Sequence, residues 1–184
     1  MRIIGGRYGG ARLFTPKGHD ARPTSERARE ALFNIIGPRI DSARFLDLYG
    51  GTGAVGLEAL SRGAEHVTVV EIKHVDLVAR NSAKLKIDSS REFEVIQADA
   101  LYTLKELALR GELFDLIFAD PPWKDGAEKN IVELAANLLK SAGWLILETY
   151  YKTDPPLFEP RLKIVDSRRY GDTALLFYER STTA

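Results

Sequence analysis

The chain has 184 residues, 45% hydrophobic and 28% charged, with acidic and basic side chains in equal number. That suits one globular domain, or one domain with an appendage, able to bury roughly 70% of its unfolded surface without covalent staples. Cysteine is absent, which excludes disulfides, thiolate metal sites and cysteine nucleophiles; no apolar run reaches membrane-spanning length and Met1–Gly10 lacks a signal-peptide stretch, so a cytoplasmic protein is expected.

Residues 2–16, RIIGGRYGGARLFTP, place short apolar stretches around glycine pairs at 5–6 and 9–10. This predicts a small β-hairpin or a pair of bent strands, an appendage spanning 1–21 on a main domain of 22–184. The charges are unevenly spread. Residues 1–44 carry nine Arg/Lys against four Asp/Glu, and eight of the nine cations are arginine, whereas residues 45–160 carry twelve against nineteen. The planar arginine fork matches phosphate, so Arg2, Arg7, Arg12 and Arg22 are candidate nucleic-acid contacts, although a solvated basic surface explains the charge as well. Thr24 is a candidate contact too; it can equally cap the helix that follows, in which Ala28, Ala31, Leu32, Ile35 and Ile36 share one face and Gly37-Pro38 forms the stop.

Strand-like and helix-like segments then alternate: a strand over 45–48, a helix over 54–62, a strand over 66–71, a helix over 73–86, a strand over 93–97 and a helix over 100–110. A strand over 114–119, a helix over 127–140 and a strand over 143–149 complete the series. Such alternation implies an α/β fold with a parallel sheet and right-handed crossovers. Two further strands, 162–170 and 173–179, meet at Gly171-Asp172 and predict an antiparallel hairpin at the sheet edge.

The first strand runs into LDLYGGTGAVG, where Gly51, Gly53 and Gly56 fit G-x-G-x-x-G and Glu71 ends the second strand twenty residues after Gly51. Glycines permit a sharp turn and close approach to a ligand, and the second-strand carboxylate can accept both hydrogens of a ribose diol. This serves NAD or S-adenosylmethionine. Asp47, just before the loop, favours the second, because a carboxylate suits an ammonium or sulfonium and suits a pyrophosphate poorly. Asp99, after the third strand, can face an adenine edge or cap the next helix.

Asp120-Pro121-Pro122-Trp123 follows the fourth strand, at the end of a parallel sheet where ligands bind. The Asp120 carboxylate and Pro121 carbonyl can each accept a hydrogen bond from an aromatic amine and aim its nitrogen lone pair. The paired prolines hold these acceptors, and Trp123 offers a face for a base. No metal is required. The histidines at 19, 66 and 74 lack metal-ligand spacing, and Glu148, ending the fifth strand, is read as a solvated edge residue.

The chain resembles the bacterial small-subunit ribosomal RNA guanine-N2 methyltransferases, the RsmD family. The resemblance rests on MRIIGG at 1–6, RPTSERAREALFNII at 22–36, LDLYGGTGAVGLEALSRGA at 46–64, the tetrad at 120–123 and RRYGDTALLFY at 168–178. It implies a Rossmann-like, seven-stranded class I methyltransferase fold with an N-terminal hairpin. S-adenosylmethionine is the implied cofactor. The implied substrate is a guanine N2 amine of ribosomal RNA in assembled or assembling small subunits. A monomer that uses neither metal nor membrane is expected. Carried over by position, Glu71 serves the ribose, Gly50, Gly51 and Gly53 the methionine-end loop, Asp99 the adenine region, and Asp120 to Trp123 the target base. Tyr49, Ile72 and Ala100 are further candidate cofactor contacts. The tetrad ends in Trp123 where the family usually has Tyr or Phe, a form found in some messenger-RNA adenine-N6 methyltransferases. Adenine-N6 methylation, a small NAD-dependent oxidoreductase and a non-catalytic RNA-binding module are the alternatives.

Overall fold

A computed structural model of the chain describes residues 1–16, 26–89, 91–123, 126–157 and 161–181. Arg22 and Thr24 lie outside these residues. The chain divides into two compact units, Met1–Asp99 and Ala100–Ala184. Its strands form a seven-stranded sheet, numbered in chain order β1 (Arg44–Leu48), β2 (His66–Glu71), β3 (Phe93–Gln97), β4 (Phe114–Ala119), β5 (Leu139–Tyr150), β6 (Leu162–Tyr170) and β7 (Thr173–Arg180), in the order β3-β2-β1-β4-β5-β7-β6.

In the first unit, β1, β2 and β3 pair in parallel, Asp47 opposite Val69 and Glu71 opposite Gln97. Three helices accompany them: α1 (Glu26–Ile36), α2 (Ala54–Ser61) and α3 (Val75–Lys84). Helix α1 buries Ala28, Leu32 and Ile36 of the predicted face, leaves Ala31 and Ile35 half-buried, and buries Phe33, outside that face, which stacks on Phe45 at 6.3 Å between ring centroids. The α-helix stops at Ile36, and Gly37–Ile40 continues as a 3-10 turn. Every residue of α2 is buried, as expected for a helix with almost no polar face. Gly56 lets α2 press onto β2, since a Cβ there would lie 2.8 Å from Val69 Cγ2. Helix α3 begins at Val75, two residues later than predicted, because the Lys73 and His74 amides donate to the Glu71 carboxylate.

The N-terminal stretches pair as predicted, but only at one antiparallel bridge, Arg2 with Arg12. Ile3 N–H donates to Ala11 O (2.9 Å) and Leu13 N–H to Met1 O (3.1 Å), while Gly6–Tyr8 coils into a 3-10 turn. The glycine pairs bend this segment too sharply for a longer ladder.

In the second unit, α4 (Ala100–Leu109) leads into β4, which pairs in parallel with β5. Helix α5 (Glu128–Ala135) is shorter than the predicted 127–140, and β5 starts at Leu139. The apolar positions 138 and 139 fit a helical period, yet Leu138 O accepts the Phe114 N–H at 2.8 Å and Leu139 already pairs with Phe114. A register shift follows, with Ala142 at φ 57° and Gly143 too close to Lys140 O for a side chain. The C-terminal hairpin forms as predicted. Its second strand, β7, lies between β5 and β6, leaving β6 with alternating exposure and charged side chains, a pattern that blunts a sheet edge.

Candidate active site

In the first unit the glycine turn is a network of short bonds around two carboxylates. Tyr49, Gly51 and Gly53 take φ of 62°, 55° and 77°, a region glycine enters freely and tyrosine rarely. Gly53 N–H closes on Gly50 O at 2.7 Å, and Gly50 N–H reaches back to Val70 O at 3.0 Å. A Cβ at Gly50 would sit 2.2 Å from Val69 Cγ1, so backbone and β2 meet there without room for a side chain. At Gly51 the opposite holds: a Cβ would project into open space, 3.9 Å from the Tyr49 carbonyl. Glu71, 8% exposed, accepts the Gly51 N–H at 2.7 Å on Oε2, and the Lys73 and His74 N–H groups at 2.7 and 3.1 Å on Oε1. Three backbone amides thus fix its carboxylate beside the glycine turn. Beside it Ile72 is an exposed apolar side chain.

Asp47 lies under the turn, 1% exposed, and its Oδ2 accepts the Gly56 N–H at 2.8 Å. Burial pushes its carboxyl up to about 7, the Gly56 hydrogen bond opposes the rise, and the charge of Glu71 adds to it. Asp47 thus anchors α2 to the end of β1. Asn81, fully buried on α3, ties the same turn to the N-terminal segment: its Nδ2 donates to Thr52 O (2.9 Å) and Phe14 O (3.1 Å), and its Oδ1 accepts Phe14 N–H (2.7 Å). Asp99 is exposed directly after β3, and Ala100, which opens α4, is buried.

In the second unit the tetrad follows β4. Asp120 is half-buried, Pro121 buried, Pro122 exposed and Trp123 half-buried. The Trp123 ring lies 5.2 Å from that of Tyr150, at the end of β5, and Tyr150 meets Tyr151 edge-on at 4.9 Å. The two tyrosines went unnoticed in sequence reasoning; the signal was an aromatic pair ending a strand that runs parallel to the one before the tetrad. Glu148 is 5% exposed, not the solvated edge residue expected, because β7 pairs alongside it, with Leu175 opposite.

The candidate RNA contacts separate. Arg2 and Arg12 are cross-strand neighbours in the N-terminal bridge, and Arg2 also pairs with Glu26 at 3.4 Å. Arg7 lies in the 3-10 turn, bonded to Glu92 at 2.7 Å and stacked on Tyr8. Sequence reasoning also missed Glu58 and Arg29, which hold the N-terminal segment in place. Glu58, inside the apolar α2, accepts the Ile4 and Gly5 N–H groups at 2.7 and 2.8 Å and Arg62 Nε at 2.8 Å. Arg29 faces it at 3.7 Å with both side chains fully buried. A carboxylate in a helix otherwise apolar was the available signal.

Residues 1–179 match the family model described as conserved hypothetical protein 95. The Ribosomal RNA small subunit methyltransferase D of Escherichia coli (strain K12) is 39% identical over 147 residues, 79% of this chain and 69% of that protein. The solved structure of yhhF from Escherichia coli, assigned as a methyltransferase, superposes with a TM-score of 0.87 at 31% identity, covering 100% of this chain and 99% of that one. SMU.776, assigned as a methyltransferase and solved with SAH, shares the fold at a TM-score of 0.69 and 16% identity, over 83% of this chain and 48% of its own. The fold is that of the class I methyltransferases, and the chain belongs to the ribosomal RNA small subunit methyltransferase D family, RsmD.

Proposed function

We propose that this chain transfers a methyl group from S-adenosylmethionine to the exocyclic N2 amine of a guanine in small-subunit ribosomal RNA, in assembled or assembling subunits. The observation that carries this reading is Asp-Pro-Pro-Trp directly after a parallel strand, in a chain of the RsmD family. The glycine turn fits the cofactor: Gly51 opens onto free space, and its N–H is held by the Glu71 carboxylate, whose Oε2 has a lone pair left for a ribose hydroxyl. Tyr49, Gly50, Gly51 and Gly53 would line the methionine end, Glu71 and Ile72 the ribose, and Asp99 and Ala100 the adenine. Asp47 holds the turn from below. When bound, the sulfonium supplies an electrophilic methyl group.

The rest is the work of the tetrad. The base amine is a poor nucleophile because its lone pair is delocalised into the ring. Asp120 carboxylate and Pro121 carbonyl accept its two N–H bonds and favour the pyramidal nitrogen of the transition state over the planar ground state. Pro121 and Pro122 fix φ and hold the acceptors in place. Trp123, braced by Tyr150, stacks on the base. Arg2 and Arg12 hold phosphates.

Asp120→Ala is expected to lower turnover about 100- to 1000-fold with S-adenosylmethionine affinity, read by calorimetry, within about twofold of the parent. Undiminished turnover would remove Asp120 from the reaction. Nucleoside mass spectrometry of ribosomal RNA from a strain lacking the protein is expected to show loss of one N2-methylguanine. Trp123 favours the second reading, adenine-N6 methylation, and loss of N6-methyladenine in that experiment would select it.

A further inference from the structure

Arg169 sits in β6 next to the hairpin turn, exposed, yet its guanidinium is held flat. Its guanidinium carbon lies 3.5 Å from the ring centroid of Tyr151, and its Nε donates to Gly171 O at 2.8 Å. Exposed arginines ordinarily sample many rotamers, and ordering them opposes binding; here the ordering is present in the protein alone. The Tyr151 backbone is tied to the hairpin turn, its N–H donating to Asp172 O at 3.0 Å, and its ring packs edge-on against Tyr150. From Tyr151 the aromatic surface continues through Tyr150 to Trp123 of the tetrad. Lys152 and Arg168 are exposed alongside. Asp154, Asp166 and Asp172 offset these cations, and Asp166 bonds Arg168 directly. The surface is therefore built for stacking more than for general attraction of polyanions.

We propose that the Arg169–Tyr151 stack is a docking plate for an unpaired RNA base flanking the modified nucleotide. Unpaired bases are recognised by stacking on aromatic rings and on guanidinium planes. A plate joined by aromatic rings to the residue that stacks on the target is placed to hold its neighbour in the strand. The outer face of Arg169 receives the flanking base, Tyr151 backs it, and the planar geometry matters as well as the charge. The inference rests on the RNA-methylating reading above.

The test uses the full chain and a short fluorescein-labelled single-stranded RNA with one central guanine, beside the same RNA with abasic nucleotides flanking that guanine. Arg169→Ala, Arg169→Lys and Tyr151→Ala are each expected to weaken binding of the intact RNA about tenfold, within the range of one stacked base. The abasic RNA should bind the parent about tenfold more weakly and bind Arg169→Ala no more weakly than the intact RNA does. With unmodified small subunits as substrate, the three variants should raise KM about tenfold with kcat within about twofold. Parental thermal stability and S-adenosylmethionine affinity in Arg169→Lys show that the fold is intact. Parental affinity and KM in Arg169→Lys would overturn the plate, since charge alone would then suffice. So would continued discrimination against the abasic RNA by Arg169→Ala. If the parent methylates small-subunit RNA while all three variants match it, only the plate fails; a parent that neither binds nor methylates RNA overturns the proposed function with it.

Discussion

Asp47 is a carboxyl group held where water cannot reach it. With one hydrogen bond from Gly56 and the charge of Glu71 nearby, its carboxyl rises from 3.8 to about 7. A raised carboxyl pKa means that the folded state holds the proton more tightly than the unfolded chain. The contribution to stability is therefore full below pH 4, falls as pH rises from about 4 to about 7, and is level above. Asp47→Asn keeps an oxygen acceptor for Gly56 and has no proton to lose. Denaturant titrations at several pH values should show the descending component, at most about 1.4 kcal/mol per pH unit, in the parent and not in the variant. Parallel stability curves for the two proteins across that window would assign the raised carboxyl elsewhere. Glu71, one strand over, was legible as a ligand carboxylate from spacing; its use as the acceptor for Gly51, Lys73 and His74 was not, because three amides from two loops converge on it only in space.

At the scale of elements, the N-terminal segment is joined to α2 by a buried ionic knot. Glu58 accepts two amides of that segment and Arg62 Nε, and faces Arg29, whose ionisation burial weakens and Glu58 supports. Arg29 Nε and Nη1 find no hydrogen bond among the described residues, so Glu58 supplies most of the compensation for a buried cation. Glu58→Ala leaves that cation only the Arg2 carbonyl and the charge of Glu26, and removes the carboxylate partner of two amides. Loss of one partner of a buried pair costs about 3–5 kcal/mol, equivalent to a fall in Tm of about 6–20 °C for a domain of this size. A change in unfolding free energy below about 0.5 kcal/mol would show that the knot does not hold the segment. The element boundaries were legible where one period dominated, as in β2, β3, β4 and β6, whose observed limits equal the predicted ones. Helix α5 was read too long, because buried side chains of a turn and an entering strand, Leu138 and Leu139, continue a helical spacing by coincidence.

The whole molecule is neutral, yet its first 44 residues carry an excess of arginine. Neutrality limits general attraction to RNA, so a basic arm has to act locally. Arg2 and Arg12 are adjacent across the N-terminal bridge, while Arg7 is engaged by Glu92. Replacing Arg2 and Arg12 together with Gln should weaken RNA binding and reduce the slope of log affinity against log salt by about 0.7 for each phosphate no longer neutralised; Arg7→Gln should change the slope less. An unchanged slope in the double variant would exclude this arm as the phosphate-binding surface. The fold itself was legible in outline: the βαβ alternation and the closing hairpin both form, and β7 takes the inner place because its Ala174–Tyr178 run is buried throughout, while the charged β6 takes the edge.

The amino-acid sequence alone determined the order of strands and helices, the glycine turn, the acid at the end of β2 and the tetrad after β4. Each of these depends on local chemistry: side-chain period, backbone angles open to glycine, and the fixed φ of proline. Only the tertiary structure decided that Glu58 binds the N-terminal amides, that Asn81 ties Phe14 to Thr52, that Glu148 is buried and that Arg169 lies on Tyr151. These partners are far apart along the chain or on different strands, and strand register and helix packing, not spacing, bring them within hydrogen-bonding or stacking distance.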